Sequence, residues 1–147
     1  MFESWFHGIS HWQRVEKFGM YLCSLIPEAD LDVVRWFAYL HDSQRGLEWD
    51  YSGVQHGPLA SRFIKKIRKT FLSDLSDFQI KLLMEACSYH TSAKKKADIT
   101  VNVCFDSDRL DLPRCGFTLI PSRMATEAGA RLAQDYSYDE LLALANC

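Results

Sequence analysis

Residues 33–42 read VVRWFAYLHD, an apolar run that ends in an adjacent His41 and Asp42. Val33, Phe37 and Leu40 recur at helical spacing, and Asp30 stands where an N-cap belongs, so the run predicts a helix ending near Asp42. Neighbours on a helix point ~100° apart and cannot share a face in its middle. At a helix end that faces a cavity, however, one imidazole nitrogen and one carboxylate oxygen can converge on a single ion. Working outward from the pair, His11 lies upstream, His56 and His90 lie downstream, and Asp108 follows in FDSDRLD. Four of the chain's five histidines fall into this ordered series. Mixed imidazole and carboxylate donors suit zinc, iron, manganese or nickel better than calcium.

The helical period extends on both sides. A first helix is predicted over 11–26 from Val15, Phe18, Gly19, Leu22 and Ile26, with Pro27 ending it. Residues 43–52 are polar and turn-like. His56-Gly57-Pro58 opens a third helix carrying Leu59, Phe63, Ile64, Ile67 and Phe71, and Ser76 caps a fourth that leads to His90. The basic loop SAKKKAD follows. The stretch ITVNVCFDSDRLDL is ambiguous, because its Val and Ile content favours a strand. With helical neighbours and nothing to pair with, it reads better as a buried helix. Residues 116–121 form a loop, and two short helices, 126–135 and 138–145, complete an all-α pattern with the candidate ligands at helix ends around one bundle interior.

At 147 residues, 48% hydrophobic and 24% charged, the chain is expected to form one globular domain, 1–147, with a real core. A net charge of −2 argues against a nucleic-acid footprint or a polybasic membrane patch. Five cysteines without C-x-x-C spacing argue against a zinc knuckle and a disulfide framework. Neither a signal-peptide pattern nor a membrane-length apolar run is evident, so a cytoplasmic protein is expected.

Three strings, HWQRV from His11, FAYLHDSQR around His41-Asp42, and SDRLDL around Asp108, resemble in order the motifs of the HD superfamily of metal-dependent phosphohydrolases. The third has Ser107 where the family pattern has alanine. The resemblance spans most of the chain and is nearest to small stand-alone HD proteins. It implies an HD-type helical bundle with an interior metal site, in which His11, His41, Asp42 and Asp108 bind a divalent transition metal (manganese, iron, nickel, zinc or cobalt). It places His56 and His90 over the same cavity, as ligands of a second metal or as substrate contacts. The expected reaction is hydrolysis of a small phosphorylated metabolite, a nucleotide among the candidates, by metal-activated water. The two other readings are a di-iron oxygenase and a metal- or ligand-binding module without turnover.

Asp42, His56, His90 and Arg45 are the candidate catalytic residues. Arg45, Lys94, Lys95, Lys96 and Arg109 are candidate partners for phosphoryl oxygens. Asp106 and Asp111 compete with Asp108 for the metal. The three cannot all point at one ion from one helix, and Asp108 leads because it directly precedes Arg-Leu; the others are placed to orient a ligand histidine. Arg14 reads as an ion-pair partner of a nearby acid. Trp49 and Tyr51 read as loop packing or as the lining of a substrate mouth.

Overall fold

Every regular element among the described residues is helical. The computed structural model describes residues 8–44 and 56–146. Helix α1 spans Ile9–Leu25 and buries His11, Val15, Phe18, Gly19 and Leu22 along one stripe. Helix α2 (Leu31–Leu40) begins at Asp30, whose carboxylate accepts from the backbone N–H groups of Asp32 and Val33. The same carboxylate accepts from the Gln79 side chain at 2.9 Å, tying the start of α2 to the next helical pair.

Helix α3 (His56–Ile67) packs along α4 (Asp77–Tyr89). Ser76 and Gln79 form a reciprocal capping box at the start of α4, which satisfies two otherwise orphaned backbone donors. Helix α5 (Ile99–Arg109) starts at Asp98, whose side chain accepts from Thr100 N–H. The ambiguous stretch is therefore a helix. Its Val101, Val103, Cys104 and Phe105 are fully buried, and burial on all sides erased the periodicity that would have marked it. Two 3₁₀ turns, Leu112–Cys115 and Pro121–Arg123, flank the expected loop. Helices α6 (Glu127–Asp135) and α7 (Tyr138–Ala145) follow, capped by Thr126 and Ser137.

Helices α1, α2, α4 and α5 pack on one another around one hydrophobic cluster that includes Phe18, Leu22, Phe37, Leu83 and Phe105. Helix α3 lies on α4, and α7 lies on α1. Cys87 and Cys104 are buried free thiols, and Cys23 and Cys115 are partly buried and free. No described helix is long and apolar enough to cross a membrane. His7, Trp49 and Tyr51 lie outside the described residues.

The core and the surface respond differently to truncation. Phe105 has no exposed area, whereas Phe71 is 71% exposed. Phe105→Ala is expected to cost about 3–5 kcal/mol, and Phe71→Ala to stay within about 0.5 kcal/mol of wild type, both read from urea unfolding.

Candidate metal centre

Five elements deliver the donors. His11 comes from the first turn of α1, and His41 and Asp42 from the C-cap and turn that end α2. His56 opens α3, His90 caps the C-terminus of α4, and Asp108 comes from the last turn of α5. Leaving the helix at His41 solves the geometry of adjacent ligands: His41 Nε2 and Asp42 Oδ2 stand 3.3 Å apart. The histidines and Asp42 are at most 5% exposed, so the cluster is interior.

The donors form two sets that share Asp42. In the first, His11 Nε2 and His41 Nε2 are 3.3 Å apart, and each lies 3.2 Å from Asp108 Oδ1. Asp42 Oδ2 completes this set, 3.5 Å from His11 Nε2. In the second set, His56 Nε2 and His90 Nε2 are 2.9 Å apart. Asp42 Oδ1 lies 3.1 Å from the former and 3.7 Å from the latter. One carboxylate therefore presents one oxygen to each pair of imidazoles.

These residues fit a metal. Ligand atoms held ~2.0–2.2 Å from a common ion stand ~3–3.6 Å from one another, and the donors here are spaced accordingly. The outer ring nitrogens also fix which nitrogen faces inward. His41 Nδ1–H donates to the carbonyls of Phe37 and Ala38 at 3.0 and 3.1 Å, and His90 Nδ1–H donates to the Cys87 carbonyl at 2.8 Å. His11 Nδ1–H donates to Asp111 Oδ2 at 2.7 Å. Each Nε2 is thereby aimed at the cluster, the arrangement metal-ligating histidines use.

Asp111 emerges as a hub. Besides His11, it accepts from Arg14 Nε at 2.8 and 3.0 Å and from the Tyr138 hydroxyl. The spacing of His11 and Arg14, three residues apart on one helix face, was the available signal that a single acid could serve both. Asp106 plays a different part. Its carboxylate accepts from the backbone N–H groups of Ala125 and Thr126 and from the Thr126 hydroxyl, and so anchors the start of α6. Asp108 is thus the one of the three acids that reaches the donor cluster.

A cavity of about 380 Å³ opens over the centre, lined in part by Asp42, His90, Thr91, Asp108, Arg109 and Arg114. Arg109 is committed to structure: its guanidinium donates to the carbonyls of Ala93, Lys94 and Arg123. It brings positive charge to the wall, but these donors point at backbone. Arg114, which sequence reading missed, lies beside Asp111 and donates to its carbonyl at 2.9 Å. Lys96 lies over the Tyr89 ring, and its backbone is pinned to the Asn102 side chain. Arg45 lies outside the described residues.

The electrostatics follow from burial and proximity. Burial lowers the affinity of the His11 imidazole for a proton, but hydrogen bonds to Asp108, Asp111 and Asp42 outweigh it and raise its pKa to about 9. For His41 burial again lowers it most, and the charges and hydrogen bonds of Asp42 and Asp108 together outweigh burial and raise it to about 10. Asp42 and Asp108 are held far below the usual carboxylate range: burial opposes this, and the surrounding imidazoles overcome it. Burial prevails at His90, whose pKa is lowered. Compared with known protein families, curated proteins and solved structures, the chain finds no match.

Two expectations follow from this geometry. Gly57 sits where α3 meets the end of α4, and a Cβ there would lie 2.5 Å from the Cys87 carbonyl oxygen and 2.9 Å from that of Ser88. Those are backbone atoms, so Gly57→Ala must push α3 away and separate His56 from His90. Titration with manganese is expected to show the second equivalent weakened at least tenfold and the first retained, whereas Asp42→Ala weakens both. In the metal-free protein, the pKa values of His11 and His41 lie above the unfolded value of 6.5. Their stabilising contribution is complete below pH 6.5 and is lost as pH rises through 9–10. The thermal midpoint of chelator-treated protein should therefore fall between pH 7 and pH 10, with the manganese-loaded protein not following it.

Proposed function

We propose that the protein is a metal-dependent phosphohydrolase that acts on a small phosphorylated metabolite, with nucleotides among the candidates. The observation that carries this reading is the placement of Asp42: its two oxygens face two imidazole pairs on the floor of a cavity walled by guanidinium groups. His11, His41, Asp42 and Asp108 would hold one divalent ion, and Asp42, His56 and His90 a second. A bound divalent ion polarises a phosphoryl oxygen and lowers the pKa of water toward ~7.

The chain's own residues supply the rest. Asp108, at 19% the most exposed side chain among the donors, is the carboxylate that a water entering from the cavity meets. As an ionised carboxylate it would be an acceptor that orients that water. Arg114 donates to the Asp111 carbonyl and stands 3.7 Å from the Asp111 carboxylate, and it would bring positive charge to the cavity wall that non-reacting phosphoryl oxygens face. The buried imidazoles and the Phe37 ring, stacked on His41 at 4.8 Å, exclude bulk water behind the reacting groups.

The same paired donor sets also favour a second reading, oxidation of a small molecule by oxygen at two irons. One experiment separates them. Metal content per chain is measured on wild-type protein and His41→Ala, and both are then assayed against phosphomonoesters, cyclic nucleotides and nucleoside triphosphates. The expected outcome is chelator-sensitive hydrolysis by wild type, reduced about 100-fold or more in His41→Ala together with loss of metal. A metal-loaded wild type that leaves the whole panel untouched would sink the hydrolase reading. Two irons per chain with substrate-dependent oxygen consumption would establish the other.

A further inference from the structure

The cavity over the donor cluster does not end at Arg109. Arg109, Leu112 and Phe117 line it, and the same three residues line a second depression of about 420 Å³. That outer depression continues over Leu119, Ile120 and Met124, with Thr118 and Arg123 at its polar side. The two spaces thus share a wall, and their chemistry changes across it. The inner one has carboxylates, an imidazole and guanidinium groups; the outer one is largely aliphatic and aromatic.

Phe117 is 62% exposed and Ile120 41%, on a segment anchored at both ends. On one side, Gly116 adopts φ 87°, a left-handed conformation that closes the Leu112–Cys115 turn with a bond to the Pro113 carbonyl. On the other, Arg123 and Met124 donate back to the carbonyls of Ile120 and Pro121. Arg109 then ties this segment to the basic loop through the carbonyls of Arg123, Lys94 and Ala93. The apolar side chains are therefore presented by a braced backbone. Ligand sites combine such apolar walls with a few convergent polar groups, and here the polar groups are the donor cluster itself.

We infer that the substrate is a phosphate ester whose organic part is apolar. The phosphoryl group occupies the inner cavity, between Asp42, Asp108 and Arg114, and the organic part leaves over Leu112 and Phe117 to lie against Leu119, Ile120 and Met124. One side of the inner cavity is the donor cluster, and the apolar extension leaves through the wall made by Arg109, Leu112 and Phe117, which gives the organic group its direction. The inference rests on the phosphohydrolase reading and adds to it the selecting feature of the substrate.

Phosphonates test it, because their P–C bond leaves the phosphoryl oxygens in place and resists hydrolysis. Binding of phenylphosphonate and methylphosphonate to manganese-loaded protein is measured by calorimetry, for wild type and for Ile120→Asp. The expected result is that wild type binds phenylphosphonate at least tenfold more tightly than methylphosphonate, and that Ile120→Asp reduces this ratio to below threefold. Ile120 is exposed, so the variant should retain the fold; an unchanged thermal midpoint and manganese stoichiometry check this. Equal binding of the two phosphonates by wild type overturns the apolar subsite and leaves the phosphohydrolase reading standing. An undiminished ratio in Ile120→Asp likewise overturns the placement of the organic group. Failure of both phosphonates to bind overturns this inference, whereas the phosphohydrolase reading falls only if the ester panel is left untouched.

Discussion

A carboxylate buried among four imidazoles is the constraint around which this fold is organised. Taking an ionised carboxylate out of water costs several kcal/mol or more unless it is closely paired. Asp42 is 5% exposed, and its two oxygens lie within 3.1–3.7 Å of the Nε2 atoms of His11, His41, His56 and His90. Those four rings come from α1, the end of α2, the start of α3 and the end of α4. Each helix must therefore reach the same point at the correct turn. The hydrophobic cluster supplies the driving force for assembly, and the charge at its centre selects which assembly is tolerated.

Much of this could be read from the chain because local signals coincide with global ones. Asp30 and Ser76, the two residues that read as caps, do cap their helices, and Thr126 and Ser137 cap the last two. The side chains of His11, His41, Asp42, His56, His90 and Asp108 converge on one interior cluster. Asp106 and Asp108 on α5 and Asp111 just after it meet different partners: the start of α6, the imidazole cluster, and His11 with Arg14. What sequence reading left open depends on contacts between distant residues. That Asp42 faces both imidazole pairs is fixed by the packing of α3 on α4, which a glycine at position 57 permits. Arg109 sits beside Asp108 and suggested an anion contact, yet it is occupied by three carbonyls from segments 14 to 16 residues away. Arg114 carried no motif at all.

The segment after α5 contributes no donor to the cluster and still governs it. Asp106 holds the start of α6, and Gly129 leaves room for that carboxylate: a Cβ there would fall 2.3 Å from Asp106 Oδ2. Helix α7 then supplies Tyr138, whose hydroxyl donates to Asp111. Asp111 in turn orients His11. The C-terminal helices thus reach a donor atom through one buried acid, which makes them part of the site's geometry as well as part of the core.

This arrangement makes the two donor sets unequal. The first combines Asp108, one oxygen of Asp42 and a histidine backed by the Asp111 carboxylate, so negative charge surrounds it on several sides. The second has two imidazoles and the other oxygen of Asp42, and His90 is backed by a neutral carbonyl. A histidine whose outer N–H meets a carboxylate is a more basic ligand than one that meets a carbonyl. A cation should therefore fill the first set before the second. Both sets border the cavity, the first through Asp108 and the second through His90, and Asp42, which serves both, lines it as well. An arriving anion adds the negative charge that the second set lacks, so anion and second cation would each strengthen the other's binding, a coupling that is reciprocal by thermodynamic necessity.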